Sequence, residues 1–346
     1  MPPPATAAAP PVPRPRRRGP WLRVAASLGL MVAILLWVQP HSLAAAFSAP
    51  HPLWLAAALA LSVPQVALSA WRWRLTAARL GAPLPLGVAV REYYLATFLN
   101  QILPGGVMGD AARAWRHARS PLTSTSGSTA SSLPLAETST GATAAWHAVL
   151  IERASGQLAL LAVVLATLAV SPELQAATAR LFAASASATA AGSTFASLPR
   201  AAALALALLG TLGGVALWRA RGHIARLRKA VQASLLARAV FVRQLAASLL
   251  IVASYVGVYL CCARMIGIDT PTASLAPLVP WVLLAMAIPL SIAGWGVREG
   301  AAALVWQVAG LDPAQGVAIS IAYGVVILLS SLPGALVLLR RPAPSR

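Results

Sequence analysis

The sequence predicts an all-α polytopic membrane protein made of two inverted-topology halves, each with a glycine-broken re-entrant helical hairpin. Three observations carry that expectation. The chain is 58% hydrophobic and only 10% charged, with a mean hydropathy of +0.73, where an ordinary soluble domain carries roughly 25% charged residues. Its arginines gather in short connections between apolar runs, the pattern by which cytoplasmic loops are marked. Two apolar stretches are interrupted by glycines beside charges, at LPGGVMGDAARAW and at IAGWGVREGAAALVW. The same arginine distribution decides how the net charge of +19 is read. Basic residues spread over membrane-flanking loops argue for orientation in a bilayer and against a nucleic-acid partner.

The elements follow in order. Residues 1–20, MPPPATAAAPPVPRPRRRGP, are too poor in large apolar side chains to form a core and predict a disordered, basic cytoplasmic tail. The apolar run 22–38 comes next. A basic flank before such a run also describes a signal peptide, with LAAA at 43–46 as the cleavage site. The proline-rich leader and the length of the run favour a retained first span. A connection without Arg or Lys leads to a second span at 53–70, and Arg72, Arg74 and Arg79 follow it, so the chain leaves the cytoplasm and returns.

Residues 86–103 hold Arg91, Glu92, two tyrosines and Asn100, and end at Pro104-Gly105-Gly106. Arginines flank the segment on both sides, so a full crossing conflicts with the charge bias and a hairpin that re-enters from the cytoplasm satisfies it. The Ser/Thr-rich stretch 120–145 reads as a flexible cytoplasmic insertion. A span at 146–170 goes outward and carries Glu152-Arg153 near its cytoplasmic end; 171–199 is an external connection. A returning span at 201–218, the basic loop 219–238 and an outward span at 245–265 come next. The interrupted stretch 275–309 must begin and end outside, because the last span, 313–339, runs into Arg340-Arg341. The first membrane half thus covers 21–170 and the second 200–341, with both termini cytoplasmic in a bacterial inner membrane. Inverted repeats of this kind place a substrate site at their interface.

The charged motifs point to an anion. Irregular backbone inside a bilayer is tolerated where protein buries it or water reaches it. A helix should start at each break, near Gly109-Asp110 and near Val297-Arg298, and a helix start offers free N–H groups and partial positive charge. Phosphate suits such a place, with Arg113 and Arg298 adding full charge. A purely architectural role is open beside it. There Asp110 and Glu299 cap their helices, while Arg298 pairs with a carboxylate on a neighbouring span, Glu152 being the candidate. Because adjacent helical residues point about 100° apart, Arg298 and Glu299 are not expected to pair with each other. Glu299 is expected to meet Arg153 or a backbone N–H. The tryptophans near span ends, Trp71 and Trp73 among them, read as an aromatic belt. Cys261 and Cys262, adjacent in an apolar run, read as packing residues. Five scattered histidines show no metal-ligand spacing, and there is no phosphate-binding loop or nucleophile motif. No cofactor and no catalytic residues are expected.

NQILPGGVMGDAAR at 100–113, ERASG at 152–156 and SIAGWGVREGA at 291–301 resemble the flippase-like family, the transmembrane region of lysylphosphatidylglycerol synthases and related bacterial and archaeal membrane proteins. The resemblance covers most of 22–340. It implies re-entrant helices and movement of lipids or lipid-linked sugars between leaflets. By position it implicates Pro104, Gly105, Gly106, Gly109, Asp110, Arg113, Glu152, Arg153, Gly294, Gly296, Arg298, Glu299 and Gly300; the polar Asn100 joins them as a cavity candidate. The full-length synthases carry a soluble aminoacyl-transferase domain after the membrane region, and this sequence shows none after the last span. The expected partners are therefore membrane lipids, an anionic phospholipid or a lipid-linked sugar. The alternatives are a scaffold for a separate lipid-modifying or glycosyl transferase, or a lipid-modifying membrane enzyme.

Overall fold

A computed structural model describes residues 50–103, 106–120, 141–172, 174–176, 179, 238–286 and 294–339. The expected spans 22–38 and 201–218, most of the 120–145 insertion, and Pro104-Gly105 lie outside the described residues. Every described element is α-helical: α1 Pro52–Arg79, α2 Leu86–Ile102, α3 Met108–Ala118, α4 Gly141–Val170, α5 Arg238–Met265, α6 Thr272–Leu275, α7 Val279–Ala285, α8 Val297–Val308 and α9 Pro313–Leu339. Four of these, α1, α4, α5 and α9, are long and apolar enough to cross a bilayer. The protein is a multi-pass membrane protein, and the outer faces of these helices carry leucines such as Leu158, Leu165, Leu250 and Leu336, which are more than half exposed. In a bilayer those faces meet lipid tails.

The helices start and stop where local chemistry says they should. Proline stands in the first turn of α1, where its missing N–H costs nothing. Asp312 accepts the Ala314 N–H at 2.9 Å and opens α9. Between α8 and α9 the backbone turns at Gly310, at φ 74°, and Leu311 N–H reaches back to the Trp306 carbonyl at 2.9 Å. That is the six-to-one closure of a helix end on a left-handed glycine.

α1 runs antiparallel to α5. The His51 N–H at its start meets the Met265 carbonyl at 2.8 Å, while Thr76 near its end takes a hydrogen bond from Gln244 Nε2 at 2.8 Å. α9 packs against α8, α2, α5 and α1. Its glycines set the distances: a Cβ on Gly316 would stand 2.8 Å from the Ala302 carbonyl oxygen, and one on Gly334 2.3 Å from that of Tyr94. α2 and α3 pack against each other, and α3 begins at Met108.

Two apolar cores result. The larger joins α1 and α4 to α5, α6, α7, α8 and α9 around Tyr259, Trp306 and Val317. The smaller joins the latter half of α1 to α2, α3 and α4 around Trp73, Leu84 and Ala148. Trp73 is wholly buried there, so the belt reading fails for that residue. The helix of the expected second span runs on past residue 70. α1 continues to Arg79, because Arg72 finds its partners inside the protein and does not mark a water-facing flank. At its other end the insertion is shorter than expected, since α4 already begins at Gly141.

Candidate functional site

The site grows from one stripe on α1. Ser62, Gln65, Ser69, Arg72 and Thr76 are all buried, at steps of three and four residues that put them on one helix face. Arg72 reaches from that face in two directions. Its Nη1 donates to Ser248 Oγ on α5 at 2.7 Å, and its Nη2 to Glu152 Oε1 on α4 at 2.5 Å. α4 makes room with Gly156, where a Cβ would stand 2.9 Å from Arg72 Nη2.

Glu152 is shared. Its second oxygen accepts from Arg113 Nη2 at 2.7 Å, and the same nitrogen lies 2.8 Å from Asp110 Oδ1, one turn earlier on α3. The Arg113 guanidinium also stacks over Tyr93 at 4.4 Å and Trp73 at 4.8 Å from the ring centroids. Asp110 in turn takes hydrogen bonds from Asn100 Nδ2, at 3.1 Å, and from Arg153. Asn100 closes the loop by accepting the Gly109 N–H at 2.8 Å. Five charged side chains from α1, α3 and α4 thus form one network. Each carboxylate sits between two arginines, which is what allows ions to remain charged when buried.

The five members of this network all line a cavity of about 270 Å³. Aliphatic side chains, Leu160, Val252, Leu283, Met286 and Ile327, line it as well. Of the charged groups Arg153 is the most accessible. Its side chain is 36% exposed, against 5% for Arg72 and 1% for Arg113. Apart from Asp110 its recorded partner is the Gly106 carbonyl, at 3.3 Å. Arg153 can therefore turn to an incoming ligand while the other two stay fixed.

The expected site residues divide. Asn100, Gly106, Asp110, Arg113, Glu152, Arg153 and Gly294 all line this cavity. Gly109 stands behind it, where a Cβ would lie 2.0 Å from the Ala96 carbonyl oxygen. Gly296, Arg298, Glu299 and Gly300 do not line it.

Arg298 and Glu299 form a second, fully buried cluster; the expected pairing of Arg298 needs correction, while Glu299 takes one of the two partners expected for it, a backbone N–H. Arg298 does not reach Glu152, nor Glu299 Arg153; they bind each other, with Arg298 Nη2 2.6 Å from Glu299 Oε1. Divergence by about 100° separates adjacent residues in mid-helix, but these two occupy the first turn of α8. Glu299 bends back to accept the Gly296 N–H at 2.6 Å, as a backbone-donor partner would demand, and the long Arg298 side chain swings over the same turn. Ser320 on α9 completes the cluster, accepting from Arg298 Nε at 2.9 Å and donating to Glu299 at 3.0 Å. Gly296 stands at φ 86°, a conformation that favours glycine. This cluster touches the cavity through two lining residues: Gly294, whose carbonyl accepts the Arg298 N–H at 2.9 Å, and Tyr323, whose ring lies 5.5 Å from the Arg298 guanidinium.

Sequence reasoning missed Arg72, Tyr93 and Ser248. The signal for Arg72 was present in the polar stripe at 62, 65, 69, 72 and 76 within an otherwise apolar span.

Against known families, the model of the lysylphosphatidylglycerol synthase TM region matches residues 21–334. Neither a curated protein nor a solved structure matches the chain.

Proposed function

The chain belongs to the lysylphosphatidylglycerol synthase TM-region family, and from that premise we propose that it binds a phosphate-bearing membrane lipid, an anionic phospholipid or a lipid-linked sugar, and moves it between leaflets. One observation carries the reading: the lining of the cavity combines charge with aliphatic surface, as a lipid does. Three arginines against two carboxylates leave a surplus of one positive charge in that lining, and aliphatic side chains such as Leu160, Val252 and Ile327 share it. A phosphate suits the guanidinium groups as donors. The start of an acyl or isoprenoid chain suits the aliphatic side chains.

The arrangement of helices supports movement as well as binding. Among the described residues, α2–α3 and α6–α8 are interrupted helical segments, and residues beside the interruptions, Gly106 and Gly294, line the cavity. We read them as re-entrant hairpins from opposite faces, which makes the two halves an inverted pair with the cavity at their interface. Transport is favoured over catalysis by the state of the carboxylates. To act as a general base, Glu152 would have to be released from both Arg72 and Arg113.

Reconstitution tests this. In proteoliposomes containing a fluorescent phosphatidylglycerol, dithionite should bleach the inner-leaflet probe faster than in empty vesicles. Arg153→Gln, at a partly exposed side chain, should fold normally and slow that bleaching by about tenfold or more, the scale of one lost charge-assisted contact. Bleaching equal to that of empty vesicles would remove the transport claim. Wild-type rates in the variant would remove Arg153 from it.

A further inference from the structure

One end of the helix bundle gathers arginines that the cavity does not use. Three contacts fix their level. On α3, His117 packs edge-on against Trp73 of α1, with ring centroids 5.3 Å apart, and Arg116 Nε donates to Glu92 of α2 at 2.5 Å. Gln244 of α5 meets Thr76 of α1 at 2.8 Å. Arg74, Arg79, Arg91, Arg116, Arg119 and Arg243 lie at or within three residues of these contacts, and all six are exposed or partly exposed. Glu92 is the one described carboxylate at that level. At the opposite end His51 meets Met265 and Thr270 meets Gln315, and there Arg264 stands beside Asp269 and Asp312. None of the six arginines lines the cavity.

Orientation in a membrane accounts for their number. Their setting on α3 is more specific. Met108, Trp115 and Arg119 share the outer face of that helix, and Met108 and Trp115 are about half exposed, at 49% and 50%. Towards the arginine-rich end this face passes from aliphatic to aromatic to guanidinium. A lipid leaflet changes from tails to headgroups in the same order. The Arg119 guanidinium lies 4.4 Å from the centre of the Trp115 ring. The stack occupies the face of the group and steadies it, while its N–H donors lie in the plane and remain outside the stack. Among the described residues Arg119 pairs with no carboxylate. Close by, Arg91 and Arg116 share Glu92, at 3.7 and 2.5 Å. Three arginines against one carboxylate leave this patch with two positive charges. Leu86, Phe241 and Val242 are exposed at the same end, and such apolar side chains among arginines suit a bilayer surface better than an acidic partner dissolved in water.

We infer that the last turn of α3, with Arg91 of α2, is a docking site on the outside of the bundle for the phosphate of an anionic lipid in the surrounding leaflet. Arg119 donates to the phosphate from its stacked position, Arg91 and Arg116 add charge, and the acyl chains lie along Trp115 and Met108. The site ties the α2–α3 segment to the leaflet surface. It is separate from the cavity and does not depend on what the cavity carries.

Fluorescence quenching in liposomes tests it. A bimane is attached through Ala112→Cys, on the same face of α3 one turn before Trp115, in the full chain with Cys261 and Cys262 replaced by serine. Brominated phosphatidylglycerol then competes with unbrominated phosphatidylcholine, and brominated phosphatidylcholine with unbrominated phosphatidylglycerol. The quenching should report a preference for phosphatidylglycerol at this face of about fivefold or more, the scale of one arginine at an anionic membrane surface. Raised salt should weaken it. Arg119→Gln should bring the two lipids close to equality. Trp115→Leu, which keeps the apolar bulk and removes the stack, should reduce the preference as well. Arg264→Gln, one charge lost at the opposite end, and Arg153→Gln, one lost in the cavity, should each leave it unchanged. Equal quenching by the two lipids in the otherwise unaltered protein overturns the inference. An undiminished preference in Arg119→Gln overturns it too. Loss of the preference in Arg153→Gln alone assigns the phosphate to the cavity, and the outer site falls.

Discussion

Glu152 holds two guanidinium groups at once, one from α1 and one from α3, and is 1% exposed. Replacing it by glutamine keeps the shape and removes the charge that both arginines face. Arg72 and Arg113 would then repel each other across a buried amide. Removing one member of a buried ionic network costs about 3–5 kcal/mol, so Glu152→Gln should melt at a clearly lower temperature in detergent and elute with more aggregate. Arg153→Gln, at the accessible edge of the same network, should melt close to the wild type. Equal melting of Glu152→Gln and the wild type would mean that the network is not what fixes α1, α3 and α4 together. The sequence made Glu152 legible as an expensive buried charge, because acidic residues are so few in this chain. It did not reveal the partner. Arg72 follows an apolar run alongside Arg74 and Arg79, and in that company it reads as one more orientation signal. Only its register with Gln65 and Ser69 separates it from its neighbours, and that register means a buried face only if the helix continues past residue 70. Arg298 was misread for a related reason: helical-wheel geometry describes where side chains leave the backbone, and an arginine is long enough to come back.

At the scale of elements, close approach of backbone to backbone organises the site. The end of α2 and the start of α3 meet where Gly109 lies against the Ala96 carbonyl, and this contact lets Asn100 hold both the Gly109 N–H and Asp110. A Cβ at 2.0 Å from a carbonyl oxygen cannot be relieved by turning a side chain; one helix must move. Gly109→Ala should therefore separate α3 from α2, pull Asp110 away from Asn100 and sharply reduce the yield of monodisperse protein. Gly87→Ala is the matched control. It also sits on α2, with open space around its added methyl and no unusual φ, and it should behave as wild type. Similar losses at both positions would contradict this account. The helix starts at Met108 and Val297 were readable from glycine followed by a charged amphipathic run. The tight packing at Gly109 was not, because a glycine near a break looks like part of the break.

At the scale of the whole molecule, the fold class and the four long spanning helices were legible because apolar length and helical period are strong, local signals. The cavity was not, since it is assembled from α1, α2, α3, α4, α5, α7 and α9, whose contacts are distant in sequence. The arginine distribution assigns residues 120–145 and 219–238 to the cytoplasm and 171–199 to the other side. Single cysteines introduced at position 130 and at position 185, in a chain with Cys261 and Cys262 replaced by serine, should be labelled by an impermeant maleimide from opposite sides of the membrane. Labelling of both from the same side would break the inverted arrangement. The central claim is that a lipid phosphate sits against the arginines that line the cavity between the two halves. An electron cryo-microscopy map of the protein in nanodiscs of phosphatidylglycerol tests it most directly. The account predicts headgroup density within hydrogen-bonding distance of Arg153, with its chain running past Leu160 and Met286. Lipid ordered only around the outer helix faces, with the cavity filled by water alone, would contradict it.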